Sequence, residues 1–181
     1  MSQNPINSNG EVCFMTFTVT AWVDVFTRPA YRHIMVDSLK HCQQKKGLQL
    51  YGWCLMSNHI HLLGSANEGI VLNDIIRDMK KFTSKKIVQG IQFEHESRKE
   101  WMLNMFGFCG KSHRKEIEYK FWQDDFDCYE VVSNNVFDQK LDYIHSNPVR
   151  AEIVAEPHHY LYSSARNYAD LKGLLDVIVV R

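Results

Sequence analysis

The stretch from Leu50 to Leu63 constrains the fold of this chain more than any other. Two apolar runs flank a short polar turn at Ser57-Asn58, and the length and chemistry of that turn predict a tight β-hairpin: Leu48 to Met56 returns into a strand that carries His59 and His61. Side chains alternate faces along a strand, so the two imidazoles project from one side with Cα atoms roughly 6.5 Å apart, while Ile60 and Leu62 face the other way. Imidazole suits several divalent first-row metals, and two imidazoles in an apolar strand are costly to desolvate without a shared ligand or an open cleft. His59 and His61 are therefore a candidate half-site that awaits a third ligand. Two unrelated histidines, on the surface or in the core, are the competing reading of so short a pattern.

A chain of 181 residues is about one domain, long enough to bury roughly 70% of its unfolded surface. Residues 1–10 read as a disordered polar leader with neither the basic nor the apolar region of a signal peptide, and residues 11–181 as a single domain. No apolar run reaches membrane-spanning length, so no membrane partner is expected. The five cysteines are scattered and include no Cys-x-x-Cys, which points to free thiols and a cytoplasmic protein. Basic and acidic residues balance at 21 each, which argues against a broad polyelectrolyte binder of nucleic acid and leaves room for a local patch. The densest patch, Arg77 to Lys86, includes Lys80, Lys81, Lys85 and Lys86. A solvated helix face is the plainer account of those lysines.

Glu11 to Trp22 reads as a first strand and Ala30 to Lys46 as a helix stopped by Gly47. After the hairpin, Ile70, Leu72, Ile75, Ile76, Met79, Phe82 and Ile87 form the apolar face of a second helix. Gln92 to Tyr119 shows no clear period and reads as an insertion, a lid or a DNA-facing loop. Lys120 to Val132 reads as an aromatic strand, with Trp122 more suited to the core than to base stacking. Ser133-Asn134-Asn135 then caps a helix that Pro148 ends. The order β-α-β-β-α-β predicts an α+β ferredoxin-like sandwich with an antiparallel sheet, the histidine strand inside it, and an extra C-terminal helix.

On that last helix Tyr143 and Asn147 are four residues apart and share one face, where a phenol and an amide oxygen could meet a metal held by the histidines. The bland alternative makes Tyr143 an interfacial aromatic and Asn147 a C-cap before proline.

Met56 to Leu63, Met79 to Thr83, Phe121-Trp122-Gln123, Asp142 to Arg150 and Ser163 to Tyr168 occur in that order. Together they resemble the REP-associated tyrosine transposases, IS200-like members of the single-tyrosine HUH (His-hydrophobe-His) endonucleases, from about residue 12 onward. The resemblance implies a ferredoxin-like fold, a metal site at His59 and His61 completed by Asn147, Tyr143 as nucleophile, and hairpin-bearing single-stranded DNA as substrate. It also implies Mg2+ or Mn2+ as cofactor and a 5′-phosphotyrosine intermediate that lets strands be cut and rejoined. Lys80, Lys81, Lys85, Lys86 and Arg150 become candidate DNA contacts, and a homodimer is a possible assembly. Two positions depart from the family: Ser57 stands where proline is common, and Asp124 and Asp125 follow Trp-Gln where a basic residue is common.

Two other functions compete. A water-activating metal hydrolase would usually extend the pair to His-x-His-x-Asp, whereas Leu63 stands at the Asp position. A non-catalytic hairpin-binding protein would keep the lysines without needing Tyr143. If the histidines ligate a metal, activity is expected to decline below about pH 6.5 as they protonate.

Overall fold

The hairpin anticipated at Ser57-Asn58 joins the edge strand to an inner strand of a four-stranded antiparallel sheet of order β2-β3-β1-β4. Its strands are β1 (Cys13–Thr18), β2 (Leu48–Leu55), β3 (His59–Ala66) and β4 (Asp127–Glu130). The computed structural model describes residues 10–113, 118–124 and 127–180. Apart from Gly10, the leader expected over residues 1–10 lies outside these. With α1 (Pro29–Lys46) after β1 and α2 (Leu72–Phe93) after β3, the chain has the ferredoxin-like α+β arrangement, and β3 lies inside the sheet.

Local chemistry sets the boundaries. Pro29 opens α1, where its missing N–H costs nothing, and Gly47 closes it in the left-handed region at φ 76°. The hairpin is closed by the Met56 N–H donating to the His59 carbonyl at 2.8 Å. Its tip is braced from outside: the Val19 N–H donates to Asn58 O and the Phe26 N–H to Ser57 O, each at 2.8 Å. The residue that feeds the histidine strand is thus fixed to the end of β1.

The two faces of the sheet have different neighbours. Phe17 and Ile60, paired across β1 and β3, face α2, whose Lys80 lies 5.7 Å over the Phe17 ring. The opposite face carries Phe14, Thr16 and Thr18 of β1 in register with Leu63, His61 and His59 of β3. Over it lies α4 (Asn134–Arg150), begun by Ser133, whose Oγ accepts from the Val136 N–H at 3.4 Å. Gly52 lets α4 settle: a Cβ there would meet Leu141 Cδ1 at 2.8 Å and Ile144 Cδ1 at 3.6 Å. The exposed edge of β2 is covered by the segment that leads into α5 (Ala165–Tyr168). The Leu55 N–H donates to Tyr162 O and the Ser164 N–H to Trp53 O, both at 2.9 Å.

Several sequence expectations change here. The described part of 92–119 is mostly helix where a loop was expected: α2 continues through Phe93, and Lys99–His113 forms α3. Met102 and Phe106, one turn apart, are fully buried, but Trp101 and Phe108 are exposed, so apolar residues surround the helix and hide its period. The first strand stops at Thr18 and gives way to a 3-10 turn at Thr20–Trp22. Of the strand expected over Lys120–Val132 only β4 is regular. Phe121 and Trp122 before it are buried, with Trp122 joined to Val19 by a single bridge and its indole N–H donating to Thr83 Oγ1 at 3.1 Å. Pro148 does not end α4, which runs to Arg150. Pro148 lacks the N–H that would bond the Ile144 carbonyl, the helix goes on for only two more residues, and the Pro148 carbonyl accepts the Ile153 N–H at 2.9 Å.

Candidate active site

Between the β1–β3 face and α4 lies an open cleft of about 580 Å³ that brings together His59, His61, Tyr143 and Asn147. The His59 and His61 ring centroids are 4.8 Å apart, so the strand alternation does put both imidazoles on one side.

His61 is only 4% exposed. Its Nδ1 lies 2.8 Å from Thr16 Oγ1, its partner in register on β1, and its ring stacks on Phe14 with centroids 5.6 Å apart. Its Nε2 is buried without any hydrogen-bond partner. Such an orphan costs about 1–3 kcal/mol unless something else occupies its lone pair. Burial, then the neighbouring His59 and Lys140, push its pKa down to about 3. That revises the expectation of a decline below pH 6.5: at this site burial keeps the imidazole neutral well into the acid range.

His59 is held by a relay. Its Nδ1 is 2.7 Å from Asn58 Oδ1, and the Asn58 amide nitrogen donates to Asp24 Oδ1 at 3.0 Å and to the Trp22 carbonyl at 3.3 Å. Because two acceptors take the amide hydrogens, the amide oxygen must face the imidazole. Nδ1 therefore carries the proton and Nε2 keeps its lone pair. Burial lowers the His59 pKa, and the Asp24 carboxylate partly opposes this.

Across the cleft the Tyr143 ring lies 5.2 Å from that of His61, edge to face, and is 38% exposed. The Asn147 amide nitrogen donates to the Tyr143 carbonyl at 2.7 Å, which leaves the Asn147 oxygen as its free acceptor. The Arg150 guanidinium carbon stands 5.5 Å over the Tyr143 ring. Ile144 turns into the core, and His145 turns away from the cleft to meet Ser164 Oγ at 2.8 Å, its pKa pulled down to about 4 by burial.

The lysines of α2 are not part of this cleft. Lys80 donates to the Gln123 carbonyl at 3.1 Å, and Lys81 and Lys85 border a separate groove of about 500 Å³ between α1 and α2, beyond the sheet from the histidines. Asp124, which stands where the family commonly has a basic residue, forms an ion pair with Lys120; Asp125 lies outside the described residues.

Sequence reasoning missed Lys140 and Trp22, both of which line the cleft. Lys140, with its Nζ 4.6 Å over the Phe14 ring, is one turn before Tyr143 and two before Asn147, a spacing that could have revealed it. Trp22 had no such signal, because it read as the end of a strand. In the structure Ala21 and Trp22 both have φ 55°, the left-handed region, which costs about 1–2 kcal/mol per residue for a non-glycine. A second set of donors, Glu156, His158 and His159, has its ligand atoms within 4.8 Å of one another, at the start of and on the 3-10 turn Pro157–His159.

The chain belongs to the IS200-like transposase family, whose model matches residues 15–108. The match spans β1 to α3 and includes both cleft histidines; Tyr143 and Asn147 lie past its end. Among solved structures, the fold is similar to that of a REP-associated tyrosine transposase bound to a REP hairpin, with a TM-score of 0.60 at 17% identity, covering 100% of this chain and 94% of that one. A Deinococcus radiodurans protein solved as a candidate transposase aligns with a TM-score of 0.43 at 16% identity over 80% of this chain and 95% of its own. No curated protein matches. Among the described residues, no helix is long and apolar enough to cross a membrane.

Proposed function

We propose that this transposase-family protein cuts and rejoins single-stranded DNA near hairpins, with Tyr143 as the nucleophile. The observation that carries this reading is the 5.2 Å approach of the Tyr143 ring to the His61 ring across an open cleft. The phenol oxygen attacks phosphorus, the bond from phosphorus to the 3′ oxygen breaks, and a 5′-phosphotyrosine forms. The phenol proton balances the released 3′-hydroxyl. One phosphodiester replaces another, so a second 3′-hydroxyl can reverse the step and join strands without a nucleotide cofactor.

The donor set fits a divalent cation: two neutral imidazoles, a free carboxamide oxygen and, above all, a buried His61 Nε2 with no other partner. His59, His61 and Asn147 would hold it, and Mg2+ or Mn2+ there would withdraw electrons from the scissile phosphate and favour the attack. The residues around the cleft do the remaining work. Asn58 and Thr16 orient the two imidazoles, α4 holds the tyrosine one turn from Asn147, and Lys140 and Arg150 offer positive charge to the phosphates beside the cut. Lys81, Lys85 and Lys86 would touch only DNA that continues around the sheet.

The test is incubation of the protein and Mn2+ with labelled hairpin-bearing single strands of varied tail sequence. A labelled species that survives boiling in detergent and disappears on proteolysis is expected. Free cleaved strands without any protein-linked species would assign the chemistry to hydrolysis instead.

A further inference from the structure

Trp22 stands at the cleft and is 60% exposed, whereas Phe14 beside it is buried and Tyr143 is 38% exposed. Trp53 and Trp122 are buried and Trp101 on α3 is exposed, so it is the place of Trp22 at the cleft, and not its exposure alone, that sets it apart. The backbone presents the indole there through two consecutive residues at φ 55°. The Trp22 N–H donates to the Val19 carbonyl at 3.0 Å, and its own carbonyl accepts from the Asn58 amide at 3.3 Å. That same amide carries the oxygen that orients His59. One side chain therefore fixes both an imidazole of the candidate metal site and the turn that displays the indole, and the two rings stand 6.3 Å apart at 69°.

Strained backbone is retained where the surrounding structure over-determines it, and such positions cluster at functional sites. A large flat ring, open on the cleft side and fixed beside the proposed metal-holding histidines, matches an unpaired base better than any polar group. Base-on-aromatic stacking needs no particular sequence, because every base has a π face. We propose that Trp22 is the platform on which one unpaired base next to the scissile phosphate stacks, so that the strand enters the cleft with its phosphate toward His59 and His61. This rests on the reading of the cleft as the site of strand cleavage. It makes Trp22 a substrate-binding residue that sets the position of the cut without choosing its sequence.

The experiment pairs protein variants with abasic DNA. The probe is a fluorescein-labelled hairpin with a short unpaired tail, and each tail base is replaced in turn by an abasic residue. Binding is measured by anisotropy in metal-free buffer, and adduct formation in parallel with Mn2+. Trp22→Ala is expected to weaken binding about 5- to 100-fold, and Trp22→Phe to keep most of the affinity. In the wild type one abasic position should cost a similar factor, and that position should cost nothing further in Trp22→Ala. Because Trp22 is exposed, the melting temperature of both variants should be unchanged, which separates the effect from misfolding. If the wild type forms an adduct but no abasic position couples to Trp22, the stacking proposal is overturned and the cleavage reading stands. If coupling appears but no adduct forms, stacking stands and the cleavage reading falls. If neither appears, both fall. Unchanged DNA binding by Trp22→Ala together with loss of self-association would assign the ring to a contact between copies of the chain and overturn the proposal.

Discussion

Thr16 Oγ1 lies 2.8 Å from His61 Nδ1, and the two residues face each other in register across β1 and β3. The register of the sheet thus decides which ring nitrogen of His61 is turned into the cleft. A strand slipped by one residue would put Met15 or Phe17 there and leave both ring nitrogens without a partner.

Thr16→Val replaces the hydroxyl with a methyl at almost constant volume. With the orienting partner gone, metal affinity by calorimetric titration should fall about 10- to 100-fold, the usual cost of losing an orienting hydrogen bond behind a ligand. Thr16→Ser should retain it. His59→Ala and His61→Ala, which delete ligands outright, should lose more than Thr16→Val does. Wild-type affinity in the alanine variants would remove the histidines from the metal site.

The metal-free protein should lose stability in mild acid, and His145 allows the sign to be worked out. Its folded pKa is lowered to about 4 against an ordinary value of 6.5, so the unfolded chain takes up the proton first. Its contribution is complete above pH 6.5 and is lost as the pH falls toward 4, by about 3 kcal/mol at most. His61, lowered to about 3, acts in the same direction and extends the loss to lower pH. Urea unfolding midpoints measured across this range should fall, and fall less steeply in His145→Gln. A flat profile in the wild type would contradict the burial of these imidazoles.

The lysines of α2 and the basic residues of α4 make separable predictions. If Lys140 and Arg150 touch phosphates beside the cut, neutralising either should lower the salt slope of single-strand binding by about 0.7 per contact. Neutralising Lys81 and Lys85 should change the slope only for hairpins long enough to pass around the sheet. A slope unchanged for every length would leave those two as a solvated face.

The hairpin, the shared face of His59 and His61 and the spacing of Tyr143 and Asn147 were legible because each depends on a short-range period, 2.0 on a strand and 3.6 on a helix. The nearness of α4 to β3 was not: it depends on Gly52 meeting Leu141 and Ile144, a contact between residues about ninety apart. The family resemblance supplied that juxtaposition in advance. The helix Lys99–His113 hides its period because buried Met102 and Phe106 alternate with exposed Trp101 and Phe108, and the first strand reads too long because nothing local marks a turn in which Ala21 and Trp22 adopt positive φ. Trp22 was therefore passed over, while Trp122, in its apolar run, was correctly expected in the core.

The most direct test of the whole account is Tyr143→Phe, which removes one oxygen from a side chain that is 38% exposed. Its melting temperature, its metal affinity through His59, His61 and Asn147, and its affinity for hairpin DNA should match the wild type. On a denaturing gel of labelled single-stranded hairpin DNA incubated with Mn2+, the wild type should give cleaved strand and a covalent protein adduct, and Tyr143→Phe neither. An adduct that persists in Tyr143→Phe would show that another residue is the nucleophile, and cleavage that persists without any adduct would show that water is.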